Sequence, residues 1–195
     1  MRLIKSRYAI GWVVCGAMSV SGFAAEPEPA PAAPSEAPLA AVWVPHEVSF
    51  VYMGFTSYYS CDGLESKLKL LLKASGARAD LRVIASCSNM TGGPSRLSSA
   101  RLRFSTLAIE PPPDTKETLL PALSEWRRVV FRDRLPAGLT DGDCELVEQF
   151  DRELLPLFTV RDRLSQMNCI PHQVSMAGLR LQFTVLAPVP EPKAP

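Results

Sequence analysis

Apolar positions recur at helical spacing in two places along the chain. Between Cys61 and Gly76, Leu64, Leu68, Leu71 and Leu72 share one face while Lys67, Lys69 and Lys73 lie elsewhere, which predicts an amphipathic helix that stops at Gly76. Asp62 and Glu65 suit its first turn, as a cap and as a partner of the helix dipole. The second stretch, DCELVEQFDRELLP, carries Leu146, Phe150 and Leu154 on one face, with Asp143 at its start and Pro156 as its stop. Around them lie β-rich runs. VSFVYMGF (48–55) and RRVVFRD (127–133) precede the helices, and RLRFSTL (101–107) and RLQFTVL (180–186) come later in each half.

This order predicts an α+β domain built from two tandem β-α-β-β repeats, about 46–110 and 124–188, with an antiparallel or mixed sheet and two packed helices. A right-handed crossover makes the strands flanking each helix parallel, and the turn-rich loop after the second of them brings the chain back.

The ends are different in kind. MRLIKSRYAIGWVVCGAMSVSGFAA has a basic start (Arg2, Lys5, Arg7), an apolar stretch from Tyr8 to Phe23 and small residues before an abrupt acidic, proline-rich segment. That is the plan of a secretory signal peptide, with cleavage after Ala24, and the apolar run falls short of the ~20 residues a spanning helix needs. No stable membrane insertion is therefore expected after cleavage. Residues 25–45 are rich in Pro and Ala and read as a disordered, extended spacer, and 189–195 as a disordered tail. The folded part is then a single domain over 46–188.

Removing Arg2, Lys5 and Arg7 from the 21 basic residues leaves 18 against 20 acidic ones, so the mature chain is nearly neutral. It lacks the overall basic excess that nucleic-acid binding requires.

With Cys15 in the leader, Cys61, Cys87, Cys144 and Cys169 remain, an even number in an exported chain. A helix of about 13 residues descends about 20 Å, and the seven residues from Asp80 to Cys87 climb back about 23 Å as a strand, returning Cys87 beside Cys61. Cys144 and Cys169 bracket the second helix in the same way, although TVRDRLSQMN (159–168) is longer than that helix needs and must include a turn or bulge. The expected disulfides are Cys61 with Cys87 and Cys144 with Cys169. The alternative is a Cys61 thiol activated by its helix N-terminus, but no CxxC and no nucleophile signature around His46 or His172 accompanies it.

Other candidate chemistry is sparse. Arg101 with Arg103, Arg132 with Arg134, and Arg161 with Arg163 lie two apart, a spacing that puts both on one side of a strand. SNMTGGPSR (88–96) has a Gly pair and hydroxyls without the strand-loop-helix spacing or Lys of a phosphate loop; Asn89-Met90-Thr91 matches a glycosylation sequon. Met167, His172 and Met176 gather thioether and imidazole groups that suit Cu(I), the basis of a copper-handling alternative. Asp141, Asp143 and Glu145 cluster at the start of the second helix, where capping and dipole effects account for them without catalysis.

FVYMGFTSYYSC concentrates aromatic residues, and alternation puts Phe50 and Tyr52 on one side of a strand. Phe55, Tyr58 and Tyr59, with Asn89, Arg101 and Arg103, form the candidate partner surface. The plan resembles that of small exported bacterial proteins with a signal peptide, a proline-rich spacer and a disulfide-stapled domain, which is a class and not a family. The reading is a periplasmic or secreted, non-enzymatic binding or accessory protein without a cofactor, whose partner is a protein or a cell-envelope component.

Overall fold

The computed structural model describes residues 37–87, 94–95, 97–111, 113, 118–172 and 178–190. Asn89 and Met176 lie outside them, as does most of the 88–96 loop. The chain runs β1 (Leu39–Met53), α1 (Cys61–Ala74), β2 (Arg82–Cys87), β3 (Leu97–Ala108), β4 (Leu120–Arg132), α2 (Cys144–Glu153), β5 (Val160–Met167) and β6 (Leu179–Pro188).

Both helices have the apolar faces their periodicity predicts. Leu64, Leu68, Leu71 and Leu72 of α1 are fully buried, and so are Leu146 and Phe150 of α2. The caps differ from expectation. Ser60, not Asp62, caps α1, its hydroxyl accepting from the Gly63 N–H, so Cys61 is the first helical residue. Beyond Ala74, Gly76 takes φ 91° and the Ala77 N–H returns to the Leu72 carbonyl, a glycine-dependent end.

The strands form one six-stranded sheet in the order β2-β3-β1-β4-β6-β5, every neighbouring pair antiparallel. β1 and β2 are both antiparallel to β3 and therefore parallel to each other with β3 between them; β4 and β5 stand in the same relation about β6. The strands flanking each helix are thus parallel but never adjacent, because the returning strand inserts between them.

Strand alternation separates two faces. Inward residues such as Phe50, Tyr52, Leu102, Phe131, Leu181 and Phe183 join the helix leucines in one core cluster. Among the described residues the other face carries no helix; its centre holds a second cluster of Ala41, Leu107 and Leu186 backed by Trp43, Ala122 and Trp126.

β1 begins at Leu39, so residues 39–45, which read as spacer, belong to the sheet. LAAVWV is an apolar strand hidden between prolines, and Ala41 is only 4% exposed. β1 pairs with β4 over Leu39–Trp43 alone; past that point the strands part, and Pro45 has no N–H to donate. The irregularity expected in 159–168 is a register shift between Arg161 and Leu164, with Asp162 at φ 53°.

Among the described residues no helix is long and apolar enough to cross a membrane. Two disulfides, Cys61–Cys87 and Cys144–Cys169, each tie the first residue of a helix to the strand that follows it or to the residues just beyond. They are compatible with an exported protein.

Candidate functional site

The loop between β1 and α1 must turn sharply while leaving the sheet. Gly54 makes the turn possible, since a Cβ there would collide with the Tyr52 hydroxyl and the Ser57 carbonyl. Tyr52 is itself fully buried, and its hydroxyl donates to that same Ser57 carbonyl at 2.8 Å.

Where β4 has parted from β1, side chains of α2 take its place. Gln149 accepts from the Met53 N–H at 3.0 Å and donates to the Met53 carbonyl at 2.8 Å, imitating a strand neighbour. One turn earlier, Glu145, 6% exposed, accepts from the Phe55 and Thr56 N–H groups at 2.9 and 3.0 Å. The Thr56 hydroxyl lies 3.2 Å from the other oxygen of Glu145 and 3.4 Å from the Ile170 carbonyl, linking the loop to the segment held by Cys169. A buried carboxylate satisfied by charge-assisted bonds is a strong clamp.

What the clamp presents is apolar. Phe55 is 46% exposed, Tyr58 41% and Ile170 39%. Phe55 meets the ring of His172 edge-on at 6.2 Å. Beside them runs a groove of about 440 Å³ lined by Val51, Met53, Phe55, Glu145, Glu148, Gln149, Arg152, Glu153, Cys169 and Pro171. Its walls are apolar on the β1 side and acidic on the α2 side.

Tyr59 belongs to the interior. It is 8% exposed, stacks edge-on with Tyr52 at 4.9 Å and donates to Asp143 at 2.5 Å. Burial, then the neighbouring Asp143 carboxylate, push its phenol well above the ordinary tyrosine value. Asp143 also accepts from Lys67 at 2.6 Å and from the Thr140 N–H at 2.7 Å. It does not cap α2 with its side chain; it joins α1, the Tyr59 segment and the turn before α2. Both oxygens of this carboxylate are thus engaged in structural bonds. Glu145 accepts its three bonds from the loop between β1 and α1, and Asp141 lines another groove.

The paired arginines divide. Arg101 and Arg103 stand together on the helix-free face of β3, Arg103 bridged to Glu47 at 3.1 Å. Arg134 turns away from Arg132 at φ 58°, and the bulge at Asp162 separates Arg161 from Arg163, which clamps Asp151 with two bonds of 2.6–2.7 Å. His46 is half-buried, its Nε2 2.8 Å from the Thr106 hydroxyl, whose proton goes to the Leu157 carbonyl at 2.9 Å; Nε2 must therefore be the donor. Burial lowers its pKa.

Of the copper candidates, Met167 packs against the core and His172 lies beside Phe55. The Cys61 sulfur is bonded to Cys87, so nucleophilic chemistry there requires prior reduction. The aromatic run in the sequence points to Phe55 and Tyr58, and the carboxylate cluster points to Glu145 as a dipole partner of α2, but nothing local marks its bonds to the loop, or the roles of Gln149 and Ile170. The apolar Ile170 beside Cys169 was the available signal.

Comparison with protein-family models, with curated proteins and with solved structures finds no significant match.

Proposed function

We propose that the chain is a periplasmic or secreted, non-enzymatic binding or accessory protein, and that the groove beside Phe55 is where it takes hold of a protein partner. The observation that carries this reading is the clamp. Glu145, Gln149 and the Cys144–Cys169 disulfide immobilise the loop of Phe55 and the neighbouring segment of Ile170, two apolar side chains that nevertheless stay exposed. Rigid, half-exposed aromatics next to a groove lose little entropy on contact, which is how a binding hot spot is preorganised. The mixed lining suits an apolar segment that carries a basic residue opposite Glu148, since Glu153 is already paired with Arg152 at 3.0 Å. Residues 1–24 act as the export signal, and the proline-rich stretch before Leu39 spaces the domain from its surroundings.

We also read the two halves as copies of one β-α-β-β unit. The same interval separates Trp43 from Trp126, Cys61 from Cys144 and Arg78 from Arg161. In each half the guanidinium lies over the matching indole, Arg78 at 5.9 Å from Trp43 and Arg161 at 4.3 Å from Trp126. The sheet order exchanges with itself when the halves are exchanged.

A photo-crosslinking residue placed at Phe55 or Tyr58, in protein expressed in its own host, is expected to give a discrete adduct. Ile170→Asp should abolish that adduct, because it puts a charge into the apolar rim. An adduct pattern no different from that of a probe at exposed Lys73, or one indifferent to Ile170→Asp, would refute the site.

A further inference from the structure

The helix-free face of the sheet is cationic on a chain of almost neutral overall charge. Residues directly opposite on antiparallel strands share a face. The pairing of Ala41 with Ala122 therefore carries that face from β1 across to β4. Two like-charged cross-strand pairs stand on it. Arg82 faces Arg103 between β2 and β3, and Arg132 faces Arg180 between β4 and β6. Like charges placed directly opposite destabilise a sheet. Glu47 relieves Arg103, but among the described residues no carboxylate lies within 4.0 Å of Arg82, Arg101, Arg132 or Arg180. Arg128, beside them, donates to Gln182 at 2.8 Å, a neutral partner.

Between the two arginine groups lies the apolar cluster edged by Trp43 and Trp126. The arrangement is broad. Guanidinium groups without an ion pair among the described residues are distributed over both halves, although Asp80 acts on Arg82 from nearby, and the groove lined by Arg128, Arg132 and Arg180 is also lined by Asp133 and Asp141. A small anion reaches only one group. A ligand that satisfies both must present many negative charges across a surface, and must also tolerate an indole pair at its centre.

We propose that this face rests on an anionic phospholipid surface, its arginines against headgroup phosphates and its tryptophans at the polar-apolar boundary. Arginine forks match phosphate oxygens, and indoles favour that boundary. This surface and the groove at Phe55 are assigned separate roles: the arginine face docks on lipid, and the groove holds a partner.

The test is sedimentation of the full 195-residue chain with vesicles of phosphatidylcholine alone or mixed with phosphatidylglycerol. The apolar stretch 8–23 and the basic residues Arg2, Lys5 and Arg7 before it are present in every sample and cancel from the comparison of the variants with the parent, which is the deciding one. Binding is expected to be at least tenfold tighter to the anionic vesicles and to weaken with salt. Each arginine near a charged surface contributes roughly fivefold, so Arg132→Gln/Arg180→Gln should lose about 25-fold, and Arg82→Gln/Arg101→Gln a similar factor. All four positions are exposed, and circular dichroism with thermal melting checks that the variants fold. Equal binding to neutral vesicles overturns the proposal. So does unchanged anionic binding in both variants, or capture of soluble poly-glutamate in preference to the vesicles, which would assign the face to an acidic protein. The crosslinks from Phe55 are unaffected by any of these outcomes.

Discussion

Replacing Cys144 and Cys169 by serine should lower the melting temperature by about 10 °C, and replacing all four cysteines by about 20 °C. Each bond closes a loop of about 26 residues, and the chain-entropy relation assigns such a loop about 3.5 kcal/mol. The two loops do not overlap in sequence, so their effects on the unfolded chain add to a good approximation. For a domain of this size 1 kcal/mol moves the melting temperature by about 2–4 °C. Scanning calorimetry of the two double variants and the quadruple variant measures this directly. The Cys144–Cys169 variant carries an additional consequence. It releases the Ile170 segment from α2, so the crosslink from Phe55 should weaken even at temperatures where the fold persists. A quadruple variant that melts within 5 °C of the parent would show that the bonds are incidental to the fold.

Asp143→Ala should cost about 3–5 kcal/mol, the range for stranding one member of a buried ion pair. Asp143 is 2% exposed and receives bonds from Lys67, Tyr59 and Thr140. Removing it leaves the Lys67 ammonium, whose side chain is 22% exposed, without its counter-charge and the Tyr59 hydroxyl without an acceptor. The double replacement Lys67→Met/Asp143→Leu should be less destabilised than Asp143→Ala alone, since it removes the charge together with its partner. Urea titration of the three proteins checks both statements, with Asp141→Ala as a control expected to fall within about 0.5 kcal/mol of the parent. A cost below 1 kcal/mol for Asp143→Ala would mean that the node does not hold the two helices together.

The parts of this fold that could be read in advance are those written locally. Leu64, Leu68, Leu71 and Leu72 announce α1 because helical periodicity is a short-range pattern, and Gly76 marks its end for a conformational reason. Strand order was not readable, since it depends on which distant edges meet. β3 inserts between β1 and β2 through pairings such as Phe50 with Ala100 and Val83 with Leu102, which no local pattern encodes. Leu39–Val44 escaped because prolines on both sides gave it the composition of a spacer.

The candidate site divides along the same line. Phe55 and Tyr58 were visible as aromatics next to a cysteine, but Tyr59, adjacent in sequence, turns inward because strand alternation ends at Met53 and the loop sets its own directions. Glu145 reads in the sequence as a dipole partner at the start of its helix, and nothing local marks Gln149. Their partners lie 90 and 96 residues away, and only the divergence of β1 from β4 creates the unpaired backbone groups they satisfy. The arginine face was hinted at by Arg101 and Arg103, yet the opposition of Arg132 to Arg180 is a product of register.

In the proposed function the chain is exported, Cys61, Cys87, Cys144 and Cys169 are all held in disulfides, and the loop at Phe55 is thereby held ready for a partner. Intact-mass measurement on protein recovered from the envelope of its own host, alkylated before and after reduction, tests it most directly. The expected result is a chain beginning near Ala25 that takes up no alkyl group before reduction and four afterwards. A chain that retains its first 24 residues in the cytoplasmic fraction, or one that is alkylated at Cys61 without reduction, would contradict it.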